Sequence, residues 1–336
     1  MAVTSVSFGG QVNGVGGLAA PFNTFAAQNE LFLKVFAGEV LQTFETTTVM
    51  KDKHMVRTIT SGKSAQFPVT GTATAAYHTP GQDLASDPGY LSAIKHAERV
   101  INVDSLLTSS TFVDKLDEMK NHYDVRSIYS TELGRALANQ YDKNLIGLAI
   151  LAARASATIT GGPAGTILTP NALYTGAGII NALYLAAAAM DEKNVPSEDR
   201  FAVVTPSTYW TIVNSTGGLA LVDRDFGGES NGSYYDGKLL KVAGFALVKS
   251  NNAASVLNTN IATGVSGQNN TYHGNFSTTT CVAFQKGAIG TVKLMDLAME
   301  TDYDIRLQGN LMVAKYAMGS GILRPECAVE IRTANP

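Results

Sequence analysis

Residues 123–153 read YDVRSIYSTELGRALANQYDKNLIGLAILAA, and this stretch decides the fold. Val125, Tyr129, Leu133, Leu137, Tyr141, Leu145, Leu148 and Ala152 recur every three or four positions. The spacing predicts one amphipathic helix from about Tyr123 to Ala153. At 1.5 Å per residue it would run about 45 Å, more than twice the length of an average globular helix. A helix of that length serves as a spine.

Toward the N-terminus, Thr111-Phe112-Val113-Asp114 matches a capping box and predicts a helix running through Met119. Residues 54–104 read as an extended ribbon. His54 to Thr60 is strand-like, Ser61-Gly62 a turn, and Ala65 to Val69 the return strand of a hairpin. A stretch carrying Pro80, Gly81, Asp87 and Pro88 follows, and Ile94 to Asp104 alternates again. These strands are polar on both faces. A two-stranded ribbon is marginal in water, so it must lie on something that the adjacent sequence does not supply. Glu30 to Thr46 reads as a short helix, with Leu31, Phe32, Val35, Phe36, Val40 and Leu41 at helical spacing. Residues 1–29 form an arm without a charged side chain, in which Phe8, Leu18, Phe22 and Phe25 are too irregular for one face. Such a segment is ordered only against a partner surface.

Toward the C-terminus, Gly161-Gly162-Pro163 breaks the chain, and residues 161–290 mix helix and strand. Pro170 to Asn194 reads as an Ala-rich helix stopped by Pro196. Phe201 to Val204 is a short buried strand. Thr205-Pro206 opens a helix with Tyr209, Trp210 and Val213 on one side, and Leu239 to Lys249 is strand-like. The Asn/Ser/Thr/Gly-rich residues 250–280 read as a polar surface loop. After Cys281 to Phe284, Val292 to Ile331 alternates like antiparallel strands.

The chain of 336 residues is 45% hydrophobic and only 16% charged, with a net charge of -3. Soluble domains average about a quarter charged, so part of this surface must be covered by neutral polar residues or by other subunits. Two cysteines make no disulfide framework and point to a reducing, cytosol-like compartment. No run of 18 apolar residues is present, so nothing is expected to span a membrane. The first lysine is Lys34 and no basic run of five occurs, which excludes a basic arm that condenses nucleic acid.

No catalytic constellation stands out. Gly228-Glu229-Ser230-Asn231-Gly232 matches G-x-S-x-G, but neither a strand before it nor a helix after it is predicted, and His273 is the only histidine beyond it. Ser61-Gly62-Lys63-Ser64 ends like a phosphate loop, but Arg57 stands where the first glycine belongs, so a hairpin turn is the reading. Gly14-Val15-Gly16-Gly17-Leu18-Ala19 has no preceding strand for a dinucleotide fold. His54, His78, His96, His122 and His273 show no metal spacing. Asp302 and Asp304 lie two apart on a strand, a surface pair or a cation site. No cofactor and no metal is expected.

The order of arm, ribbon, spine helix and α/β lobe resembles the major capsid proteins of tailed bacteriophages, which share the Hong Kong ninety-seven-type fold. Arg57-Thr58-Ile59 and Ser61-Gly62-Lys63-Ser64-Ala65-Gln66-Phe67-Pro68, followed by Lys95-His96, are similar to the extended loop of the short-tailed "T seven"-like (autographivirus-type) group. Asn121-His122-Tyr123-Asp124-Val125-Arg126-Ser127 looks like the start of its spine helix. Ala314-Lys315-Tyr316-Ala317-Met318-Gly319, with Leu323-Arg324-Pro325-Glu326, looks like its C-terminal peripheral segment.

The resemblance implies an α+β fold in four parts. They are an arm and short helix over 1–50, an extended loop over 51–105, a peripheral domain over 106–160 plus 291–336, and an axial domain over 161–290. It implies self-assembly into hexamers and pentamers of an icosahedral head enclosing double-stranded DNA. Scaffold-assisted assembly in the bacterial host cytoplasm and later expansion belong to that implication. So do a portal protein at one vertex and a decoration protein outside. A mildly acidic chain without a basic arm would touch the packaged DNA only non-specifically. Lys51, Lys53, Arg57, Lys95 and Arg99 on the ribbon, with Phe8, Leu18, Phe22 and Phe25 on the arm, are the expected inter-subunit contacts. The alternatives are a bacterial nanocompartment shell of the same fold and, from another class, an α/β hydrolase using Ser230 and His273.

Overall fold

The computed structural model describes residues 39–44, 47–73, 75, 77–81, 83, 94–114, 125–214, 241–264, 269–306 and 309–333. The chain divides into two compact units. The first comprises residues 1–51, 103–142 and 293–318; the second comprises 52–102, 143–292 and 319–336. The expected arm and Ser230 lie outside the described residues, as does most of the helix expected over 30–46, of which 39–44 is helical.

The spine is present as helix α1, Val125–Arg154. Its N-terminal part buries one side, with Ser130, Leu133, Leu137, Ala138, Tyr141 and Asp142 under cover. From Leu145 to Ile150 every residue is buried, because the run Leu-Ile-Gly-Leu-Ala-Ile is apolar all round. In the first unit, Gly134 admits the helical turn 39–44: a Cβ there would lie 2.7 Å from the Val40 carbonyl oxygen. Phe44, Tyr141 and Tyr316 close this core with ring centroids 5.9, 6.0 and 6.2 Å apart. Fully buried Asp142 accepts hydrogen bonds from the backbone N–H groups of Val49 (3.0 Å) and Met50 (3.1 Å). Strand β4 (Leu107–Asp114) pairs antiparallel with β13 (Gly309–Ile322), which neighbours β12 (Ile289–Asp304).

The expected capping box at Thr111 is therefore the end of a strand. Thr111 pairs with Met312 and Asp114 with Gly309, and the Phe112 ring occupies the space a Gly309 side chain would fill. A capping box is a local pattern, and long-range pairing of a Thr-rich, β-branched segment overrides it. The helix expected through Met119 lies outside the described residues.

In the second unit a six-stranded sheet has the order β5-β14-β11-β6-β8-β7. Its members are β5 (Thr166–Leu168), β14 (Ala328–Arg332), β11 (Thr279–Gln285), β6 (Arg200–Val204), β8 (Phe245–Lys249) and β7 (Lys241–Val242). The pairs β14–β5 and β6–β8 are parallel and the others antiparallel, so the tail is not purely antiparallel. A two-residue turn joins β7 to β8, with φ of 49° at Ala243 and 81° at Gly244, as the right-handed strand twist demands. Helix α2 (Gly176–Glu192) packs on this sheet through Ile179, Ile180, Leu183, Ala186 and Met190. It starts later than Pro170 because Ala172 sits at φ 61°, outside helical space, and Thr175 is the cap. Helix α3 (Pro206–Val213), capped by Thr205, buries Tyr209 and Ile212, whereas Trp210 is 51% exposed. Residues 250–280 are not a plain surface loop. Ser250 caps a short helix α4 (Asn251–Ala254), β9 (Asn260–Ile261) pairs with β10 (Gly274–Asn275), and Val256, Leu257, Tyr272 and Phe276 are buried.

The ribbon is β2 (Ser64–Thr70) paired antiparallel with β3 (His96–Asn102). The expected hairpin between His54–Thr60 and Ala65–Val69 does not form. Gly62 turns the chain at φ 115°, but β1 (Met55–Thr58) belongs to a separate sheet. Pairing β2 with β3 sets Ala65 opposite Ile101 and Val69 opposite Ala97 on one face, a match that β1, exposed at all four positions, cannot offer.

Candidate assembly surfaces

The ribbon has a covered face and an open face. Ala65, Val69 and Ile101 are 6%, 5% and 4% exposed, while His96, Glu98, Val100 and Asn102 on the other side are exposed. The support is supplied by the same chain, from more than 150 positions away. Ile101 fits a hole in which a Cβ on Gly290 would lie 3.1 Å, and one on Gly321 2.8 Å, from its side-chain atoms. Glycines at both positions leave room for this branched side chain.

The expected contact residues divide accordingly. Phe8, Leu18, Phe22 and Phe25 lie outside the described residues. Lys51 is exposed in the first unit. In the second unit, Lys53 Nζ stands 5.6 Å from the Phe201 ring centroid. Arg57 Nη1 donates to the Gln66 carbonyl at 2.6 Å, and its guanidinium lies 5.9 Å from the Phe67 ring. Lys95 Nζ donates to the Thr160 carbonyl at 2.9 Å and Arg99 Nε to Thr158 Oγ1 at 3.3 Å. Thr158 Oγ1 in turn donates to the Leu323 carbonyl at 2.9 Å. Lys95 and Arg99 thus tie the ribbon base to their own unit.

Beside that base is a cleft of about 590 Å³, lined by Thr70, Gly71, Lys95, Gly161, Lys193 and Arg324 among others. Lys193 Nζ donates to the Ala164 carbonyl and Thr166 Oγ1, both at 2.5 Å. Burial holds its pKa below the usual lysine range, against the opposing pull of Glu326. Cys327, at the same cleft, has its thiol pushed up to about 12 by burial and by Glu326, and burial alone takes Cys281 to about 12.

A buried ion pair locks the end of the spine within the second unit. Glu330, 0% exposed, accepts from Arg154 Nε (2.6 Å), Arg154 Nη2 (2.5 Å) and Thr279 Oγ1 (2.6 Å). Arg154 Nη1 donates to the Asn275 carbonyl at 2.7 Å, and the guanidinium lies 5.3 Å from the Phe276 ring. The fork geometry suits bidentate carboxylate recognition. Sequence reading missed this pair; Glu330, a charged residue inside an apolar strand run, was the available signal.

Ser230 lies outside the described residues, and among those described no catalytic centre is assembled from the residues singled out in the sequence. His273 Nδ1 is 2.9 Å from the Ala262 carbonyl. Asp304 on β12 accepts from the Arg306 N–H at 2.8 Å. Among the described residues no group of His, Cys, Asp or Glu could hold a metal, and no helix is long and apolar enough to cross a membrane.

A long spine helix, an extended two-stranded ribbon anchored at its base, and a mixed α/β lobe are the plan of a phage-capsid shell protein of the Hong Kong ninety-seven type. The capsid structure of cyanophage P-SCSP1u superposes with a TM-score of 0.72 at 43% identity, covering 86% of this chain and 89% of that one. The major capsid protein of Escherichia phage T7 is 36% identical over 324 residues, 89% of this chain and 90% of its own. That of Enterobacteria phage T3 is 37% identical over 325 residues, again 89% and 90%. Residues 66–332 match the family described as "Gp10A-like: Major capsid protein". The chain belongs to this family: it is a major capsid protein of the T7-like phages and a structural component of the virion. Its kin assemble into capsids, and self-assembly into a capsid lattice follows for this chain. The nanocompartment alternative is not favoured.

Proposed function

We propose that the chain builds the hexamers and pentamers of an icosahedral head, assembled in the host cytoplasm around a scaffolding protein and expanded as double-stranded DNA enters. A portal protein takes one vertex and a decoration protein binds outside. The supporting observation is the ribbon: a seven-residue strand pair with one face sealed at its base and the other open. An open face on a rigidly based arm is suited to lie on the next subunit. In this reading residues 1–50 are the arm and short helix, 51–105 the extended loop, 106–160 with 291–336 the peripheral domain, and 161–290 the axial domain. Lys51, the phenylalanines of the arm and the exposed ribbon face carry the inter-subunit contacts. Exposed ion pairs are worth about 0–1 kcal/mol each, so apolar arm contacts dominate, and closed symmetry repeats them around the shell. With a net charge of -3 the inner wall does not grip DNA, which slides as it is packed.

The test is electron microscopy of the protein expressed in bacteria, alone and with scaffolding genes. Closed shells, tubes or hexamer sheets are the expected result. A monodisperse monomer under every condition would overturn the shell reading.

A further inference from the structure

Covered arginines in the second unit are met by carboxylates: Arg154 by Glu330 at 2.5 Å and Arg200 by Asp191 at 2.7 Å. The cleft at the ribbon base departs from that pattern. Lys95, Lys193 and Arg324 reach its wall from three distant positions of the chain, all within the same unit. Among the described residues none of the three forms an ion pair, although Glu192 and Glu326 line the same cleft. Arg324 is exposed, and its guanidinium has no hydrogen-bond partner among the described residues, so the whole N–H fork is open to a ligand. Lys95 Nζ uses one donor on the Thr160 carbonyl and keeps the others.

Gly161, at φ 85°, lines the wall beside Lys95. A Cβ there would lie 3.7 Å from Lys95 Nζ, so its absence leaves the ammonium open on that side. The Gly161 N–H has no partner among the described residues. Like charges gathered without counter-ions repel one another, and an anion in the cleft relieves that repulsion. Lys193 shows the deficit: burial lowers its pKa, and the opposing pull of Glu326 and Cys327 does not restore it.

The chemistry narrows the ligand. A volume of about 590 Å³ takes a small molecule rather than a bare ion. A guanidinium fork binds carboxylate or phosphate through parallel bonds, and a cluster of cations favours the more highly charged phosphate. Glu192 and Glu326 repel the anionic part of a ligand but accept hydrogen bonds from hydroxyl groups on the rest of it. A DNA duplex presents a long line of charge that needs a basic surface to match, and a chain of net charge -3 offers here only a local cluster. We propose that the cleft at the ribbon base binds a small phosphate ester bearing hydroxyl groups, with Arg324 and Lys95 on the phosphate and Glu326 on a hydroxyl. The site is complete within one chain and is independent of how the arm is placed.

Equilibrium dialysis of the purified protein against radiolabelled ribose 5-phosphate tests it, with thermal unfolding beside it. We expect saturable binding of one molecule per chain, and a Tm raised by ribose 5-phosphate but not by chloride at the same ionic strength. Arg324→Gln, at an exposed and unpaired position, should keep the parental Tm without ligand and bind at least tenfold more weakly. Glu326→Gln should bind inorganic phosphate more tightly and lose the preference for ribose 5-phosphate over it. Parental affinity in both variants would mean an adventitious ion only and would overturn the proposal. So would the absence of saturable binding. Preference for a short DNA duplex over ribose 5-phosphate would also refute it, by assigning these cations to nucleic acid.

Discussion

Replacing Glu330 by Gln leaves the Arg154 guanidinium facing a neutral amide at a site from which water is excluded on the Glu330 side. Breaking a buried pair costs about 3–5 kcal/mol. The loss should fall at the lower end, because the Arg154 side chain is 24% exposed and water can still reach it. Urea unfolding would measure it. Gly147 makes the opposite point about helix propensity. In an exposed helix Gly to Ala gains about 1 kcal/mol, but a Cβ here would lie 2.7 Å from the Tyr272 carbonyl oxygen. Gly147→Ala should instead cost about 1–3 kcal/mol, read as a lowered Tm. The two thiols titrate near 12 when folded against an ordinary value of 9.0. Above pH 9 the unfolded chain loses thiol protons that the folded chain keeps, so stability should fall as pH rises from 9 toward 12. At pH 8 neither thiol should react with a disulfide reagent until the protein is unfolded.

At the scale of elements, the spine was legible because a 3.6-residue period sustained over eight turns has no competing reading. The ribbon was legible as strand, but not in its pairing. A hairpin was the nearest solution in sequence; the actual partner of β2 begins 26 residues after β2 ends, beyond a Pro/Gly stretch. What selects it is the apolar face made by Ala65, Val69 and Ile101, and that face has meaning only once Gly290, Gly321 and Leu323 supply its socket. Ile101→Ala should therefore cost about 2–4 kcal/mol and, more tellingly, raise proteolytic cleavage within residues 64–102 ahead of global unfolding. Equal protection in variant and parent would remove the socket from the account. The capping box at Thr111 misled for a related reason: four residues cannot reveal a strand partner 200 positions away.

At the scale of the whole molecule, the low charge, the arm without a charged residue and the ribbon short of its own core all pointed to a chain that completes itself in an assembly. Deleting residues 1–29 should leave a folded, helix-containing protein by circular dichroism and reduce shell formation at least tenfold; full assembly without the arm would contradict its role. The sequence by itself determined the spine, the α+β class and the resemblance to phage shells, because periodicity and long matching stretches are local properties of the chain. Tertiary structure alone decided which strand the ribbon pairs with, where Ile101 seats, and that Arg154 meets Glu330 across 176 positions. Those outcomes depend on burial, which excludes water from one particular set of distant neighbours, and no local pattern encodes which neighbours those will be.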